Sequence, residues 1–132
     1  MTKPHINFVH LCDSAFFSQE GKLNIIGMFK TIGAAKFPTN HPKMAIVLDV
    51  NILKSTKLKI QILQKKTGET IAKLEGKLDR KGDEKQEKEM CFISDFNNVK
   101  FEEAGGYRVE IWIGDELLQT LPFSVNKVGP AK

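Results

Sequence analysis

The chain has 132 residues and 14.9 kDa, room for one domain and little more. Its 41% hydrophobic and 27% charged residues exclude a disordered chain, and a domain of this size folds without disulfides or metal. The net charge of +4 is modest, and every long apolar stretch is broken within a few residues, so no transmembrane helix is expected.

The opening Met1-Thr2-Lys3-Pro4-His5 has no apolar core of a secretory signal. Ile6–Cys12 follows, apolar on both parities, as a strand covered on both faces would be. Ser14–Glu20 reads as an irregular turn. Leu23–Phe29 is a second strand apolar on both parities. Phe37-Pro38 and His41-Pro42 then make a stiff connection, with room for one cis bond. Period-2 alternation returns at Met44, Ile46, Leu48, Val50 and Ile52, and again at Leu58, Ile60 and Ile62. Ala72, Leu74 and Leu78 suggest a further strand, and Met90–Phe96 one more. Asn97–Ala104 resembles a single capped helical turn ended by Gly105. Tyr107, Val109, Ile111 and Ile113 alternate with polar residues, and Leu117–Asn126 closes the series.

Turn signals separate these runs at Gly21, Lys54-Ser55-Thr56, Lys66-Thr67-Gly68-Glu69, Lys81-Gly82-Asp83, Gly105-Gly106 and Gly114-Asp115-Glu116. About eight short strands so punctuated predict an all-β fold. We expect an antiparallel β-sandwich, immunoglobulin-like or C2-like, with at most one or two short helical turns. One domain spans residues 1–126, and 127–132 form a tail.

The last hairpin can be registered. A three-residue loop at Gly114–Glu116 pairs Ile113 with Leu117, Ile111 with Gln119, Val109 with Leu121 and Tyr107 with Phe123, an apolar and therefore inward face. A two-residue loop would oppose Tyr107 to Pro122, a poorer core. The preferred register sets Trp112 opposite Leu118 on the outer face. Trp112 is the only tryptophan, and large aromatics are enriched at interfaces, so this pair is the candidate contact of a homodimer or another partner. Pro122 cannot donate to a ladder, so its nitrogen must face an open edge or a bulge. Tyr107 is placed as a tyrosine corner.

Four blocks together carry a resemblance: Leu11-Cys12-Asp13, Gly21–Phe29 (Gly-Lys-Leu-Asn-Ile-Ile-Gly-Met-Phe), Phe37–Pro42 (Phe-Pro-Thr-Asn-His-Pro) and Gly106–Val125. In that order the chain resembles a family of small uncharacterised bacterial proteins, defined as a domain of unknown function. The resemblance spans nearly the whole chain and implies a single-domain sandwich. It brings no catalytic residue with it.

Chemistry-bearing residues are sparse. His10 and Cys12 share a face if Ile6–Cys12 is a strand, and Asp13 follows, forming the one candidate polar cluster. A zinc site needs three or four converging ligands, and neither Cys-x-x-Cys nor His-Glu-x-x-His is present. No phosphate loop and no nucleophile elbow occurs, so we expect no enzyme and no cofactor. Cys12 and Cys91 read as buried, reduced thiols of a cytoplasmic protein. The positive excess lies within residues 54–88, but acidic residues are mixed in and no aromatic interleaves, so we expect neither nucleic-acid nor membrane binding. The leading expectation is a non-enzymatic, cytosolic interaction module. The alternative is a C2-like or lectin-like domain that binds a small ligand, carbohydrate or calcium.

Overall fold

A computed structural model describes residues 4–79 and 86–129. The predicted turn at Lys81-Gly82-Asp83 and the tail residues from Pro130 lie outside them. Among the described residues there are nine strands: β1 (His5–Phe17), β2 (Leu23–Met28), β3 (Thr31–Ala34), β4 (Thr39–Ile52), β5 (Thr56–Gln64), β6 (Thr70–Leu78), β7 (Lys88–Phe101), β8 (Gly105–Ile113) and β9 (Glu116–Lys127). Among the described residues there is no helix. The strands form two sheets. Sheet A has the order β2-β1-β4-β7, and sheet B, curled as a half-barrel, has β3-β9-β8-β5-β6.

One core lies between them. The alternating residues Met44, Ile46, Leu48, Val50 and Ile52 of β4 meet Leu58, Ile60 and Ile62 of β5 and Tyr107, Val109, Ile111 and Ile113 of β8. The alternation read from the sequence is thus the inward face of these strands. Phe101, Tyr107 and Phe123 close one end, with ring centroids 4.9–6.0 Å apart. Tyr107 is a tyrosine corner: its hydroxyl donates to the Glu103 carbonyl oxygen at 2.6 Å.

Several expectations are corrected. Ser14–Glu20 is a turn only from Ser18 on, because β1 runs to Phe17 and pairs with β2. Asn97–Ala104 is not helical. β7 continues to Phe101, and Asn98 sits opposite Pro42 at φ 55°, where the ladder skips a position. That break changes which parity of β7 faces inward, from Phe96 to Val99 and Phe101, and so hides the strand from a period-2 reading. β3 was not foreseen, and it lies parallel to β9, so the sheets are not wholly antiparallel. The stiff connection before Met44 is itself strand, since β4 begins at Thr39; Phe37-Pro38 is cis.

The last hairpin is corrected at its turn alone. Tyr107 faces Phe123, Val109 faces Leu121 and Ile111 faces Gln119, as expected. Nearer the turn the register shifts, so that Trp112 faces Leu117 and Ile113 faces Glu116. Leu118 is the extra residue of a bulge and packs against the core instead of opposing Trp112. The amide of Ser124 donates to the Lys30 carbonyl, away from β8. The Pro122 nitrogen, two residues earlier, points the same way, to the edge that β3 leaves uncovered.

Candidate functional site: the outer face of sheet A

The strands of sheet A are apolar on both sides. Ile6, Val9 and Leu11 of β1 pack into the shared core. The opposite side forms a second cluster, in which Cys12, Ala45 and Val47 are fully buried beneath Phe8, Ala15, Leu23, Ile25, Cys91 and Ile93. Among the described residues no third layer lies over it, since every strand belongs to one of the two sheets. Its cover is made by its own side chains and by the β1–β2 hairpin.

That hairpin reaches beyond the sheet. β1 pairs with β4 only as far as Cys12–Ala45, and beyond Asp13 the residues Ser14–Phe17 pair with β2 alone. We call this two-stranded extension the arm. Ala15, Leu23 and Ile25 fold back onto the second cluster. Phe16, Ile26 and Met28 are exposed on the other side, with Phe17 at the tip, at 47, 54, 60 and 47%. Gly27 lies at the base of the arm at φ 69°, and a β-carbon there would stand 2.4 Å from an Asp13 carboxylate oxygen. Glycine is required by both the conformation and the space.

The predicted polar cluster is resolved into three separate environments. His10 and Cys12 do share the outer face, opposite Val47 and Ala45. The Cys12 thiol donates to the Ala45 carbonyl oxygen at 3.6 Å, and burial foremost pushes its pKa up, away from a reactive thiolate. The His10 ring stacks on Phe8 with centroids 5.4 Å apart. Asp13 is exposed and lies against Gly27. Among the described residues no group of three or more His, Cys, Asp or Glu is placed to hold a metal ion.

A polar knot that the sequence did not suggest lies toward the other end of the face. Asp49 is 3% exposed and opposes Phe8 and Cys91. The Asn7 side-chain amide donates to Asp49 at 3.3 Å and to Asn51 at 3.1 Å. The Glu89 carboxyl shares a hydrogen bond with Asp49. That bond, then the Asp49 charge, then burial raise the Glu89 pKa. Burial, with these two carboxylates, also raises the Cys91 thiol. No Lys or Arg among the described residues pairs with either carboxylate.

Sheet B presents the contrasting outer face. Glu110 is buried and accepts from Gln61 at 2.8 Å, Arg108 at 3.0 Å and Trp112 at 3.1 Å. The Lys59 ammonium sits 4.6 Å from the Trp112 ring centroid. The candidate interface residue Trp112 is therefore half-buried within its own chain, its indole N–H spent on Glu110 and its ring beside a cation.

Fold and site together define a two-sheet all-β domain with one closed core and one apolar outer face. A model of a family of unknown function (DUF6941) matches residues 7–126, and the chain belongs to that family. No curated protein sequence matches it.

Proposed function

We propose that the protein is a non-enzymatic interaction module that docks through the outer face of sheet A. The observation that supports this is the second apolar cluster, which no further layer covers among the described residues, beside an arm whose four large side chains stand in solvent. Large contiguous apolar patches on a folded domain mark interaction surfaces. An isolated two-stranded ribbon is marginal in water, so the arm gains from being covered. The chemistry-bearing side chains fit the same reading: Cys12 is buried and bonded to backbone, and His10 is stacked. With Cys12 and Cys91 both free thiols, we place the module in a reducing compartment such as the cytosol. We read the sheets as a C2-like or immunoglobulin-like sandwich on the strength of the shared core and the tyrosine corner.

The test is capture from extracts of the source organism with the native protein, Phe16→Ser/Phe17→Ser and Trp112→Ala. A partner identified by mass spectrometry and rebound with purified components should be kept by Trp112→Ala and lost by the arm variant. Equal retention by both variants would sink the docking face.

A second reading has one observation of its own. A cleft of about 420 Å³ opens at the end of the sandwich, with Pro4, Leu53 and Ile113 apolar and Lys54, Asp115 and Glu116 at its rim. Its size suits a small amphipathic molecule. A thermal-shift panel of sugars and small amines, with calcium as a control, would reveal such a ligand.

A further inference from the structure

A second site lies at the side of the sandwich and does not depend on the outer face. We propose that the uncovered edge of β1 accepts an extended segment of a partner chain. That segment continues the edge of sheet A where β2 leaves off, seats one large apolar side chain between the sheets and presents a carboxylate to Lys30.

The backbone sets the place. β1 pairs with β4 along His5–Cys12, but β2 pairs with it only from Cys12 onward. Phe29 makes the last bond on that side, its amide donating to the Leu11 carbonyl oxygen at 3.1 Å. The chain then crosses to sheet B, where β3 pairs with β9 from Ser124 on. Below the crossing, β1 and β9 are therefore both uncovered. Backbone groups alternate in direction along a strand, so Val9, two residues before Leu11, turns its N–H and C=O to the open edge. A segment laid there would exchange two hydrogen bonds with Val9, the mode of strand addition. The edges of β9 and β6 are guarded. Pro122 removes a donor from the first, and the pairs Lys73–Glu75 and Lys77–Asp79 line the second. His5–Cys12 holds neither Lys nor Pro.

The side chains set the occupant. A cleft of about 300 Å³ opens beside this edge, lined by Val9, Leu11, Met28, Phe29 and Leu121, with His10 and the exposed Lys30. Such a volume is small for a free ligand and suits one large side chain. Val9, Phe29 and Leu121 face the shared core but are only half-buried, whereas Leu48 and Ile111 of the inner strands are fully buried. A residue paired with Val9 shares its face, so its side chain enters the cleft and completes the core there. Lys30 has no carboxylate partner among the described residues. An acidic residue at the end of the segment nearer the crossing would meet it. The β1 of a second copy is a poorer occupant, because His5–Cys12 has no acidic residue.

Capped peptides of about six residues test this by fluorescence titration and by amide exchange followed with NMR. They alternate threonine and valine, carry phenylalanine or leucine near the centre, and have glutamate or lysine at one end or the other. The best glutamate peptide should bind at about 100 micromolar or tighter and slow exchange of the Val9 amide. Lys30→Glu should weaken it about 10-fold and strengthen its lysine counterpart. Val9→Pro should fold, because the lost N–H has no partner in the free chain, and should not bind. Should that variant fail to fold, Val9 exchange in the native protein decides. Phe16→Ser/Phe17→Ser should bind as the native protein does, which separates this edge from the arm. The absence of any binder at about 1 millimolar overturns the proposal. So does binding without protection of Val9, or binding that a folded Val9→Pro retains. Protection of Val9 without peptide, in a chain that sediments as a dimer, gives the edge to a second copy and also overturns it.

Discussion

The two outer faces of the molecule meet water in opposite ways. On sheet B, lysines, glutamates and Gln61 satisfy one another. Lys73 and Glu75 pair at 3.1 Å, and Glu110 collects three donors. A tryptophan sits there without making a sticky patch, because its polar edge is bonded and its ring lies beside Lys59. On sheet A, the corresponding positions of β4 hold Ala45 and Val47, and the cover over them is apolar. A single bulky aromatic is therefore a weaker sign of an interface than the residue types of the strands around it. The outer surface of sheet B is polar and paired, and that of sheet A is apolar.

The sharpest way to break this contrast is to place a charge on each face. Val47→Asp should cost at least about 3 kcal/mol in urea unfolding, because Val47 is fully buried and the new carboxylate would meet an apolar cluster with only the Phe8-stacked His10 ring opposite it. Lys59→Asp, on the outer face of sheet B, should cost no more than about 1 kcal/mol. Similar small losses would mean that the second cluster is surface in all but name.

Removing the Glu110 carboxylate sharpens the account of sheet B. Burial alone would raise its pKa, but the hydrogen bonds from Gln61, Trp112 and Arg108, with the Arg108 charge, outweigh it and the value is lowered. A carboxyl lowered by folding stabilises the fold above its ordinary value near 4.5, and that contribution is lost as pH falls through the lowered one. Glu110→Gln should therefore cost about 1–3 kcal/mol at pH 7, where Arg108 loses its counter-charge and at least one of the three donors loses its acceptor. The gap between native and variant should narrow from pH 5 downward. A gap independent of pH would assign the loss to packing.

Much of the inner architecture was legible because burial on one side enforces period 2. The core faces of β4, β5 and β8, the tyrosine corner and the inner register of the last hairpin all followed from alternation. The misses have local causes. β3 is four residues long and holds its place by parallel pairing with β9, which no short-range pattern announces. Asn98 resets the alternation of β7 within the strand. The turn register failed because a bulge at Leu118 lets a two-residue turn reach the same inner pairs as a three-residue one. The site was half visible. Ile6–Cys12 was apolar on both parities and has apolar packing on both sides; Leu23–Phe29 showed the same pattern, but β2 is an edge strand and its Ile26 and Met28 are exposed. Whether the second face is covered by the chain itself is a matter of layers, and sequence periodicity carries no information on that. The Asp49–Glu89 knot depends on the β4–β7 register, with Asp49 beside Cys91 and Asn51 beside Glu89, a pairing of strands about forty residues apart.

The smallest effect distinguishes the faces most finely, through their carboxylates. Glu89 is raised where Glu110 is lowered, first by its hydrogen bond with Asp49 and then by that residue's charge. A carboxyl raised by folding stabilises fully below its ordinary value of 4.5, and this is lost as pH rises through the raised one. Glu89→Gln replaces the shared proton with a permanent amide donor to Asp49. Its melting temperature should exceed that of the native protein at pH 7 and match it near pH 3, the reverse of the Glu110→Gln slope. A lower melting temperature at pH 7 would show that Glu89 has a cationic partner in the isolated chain.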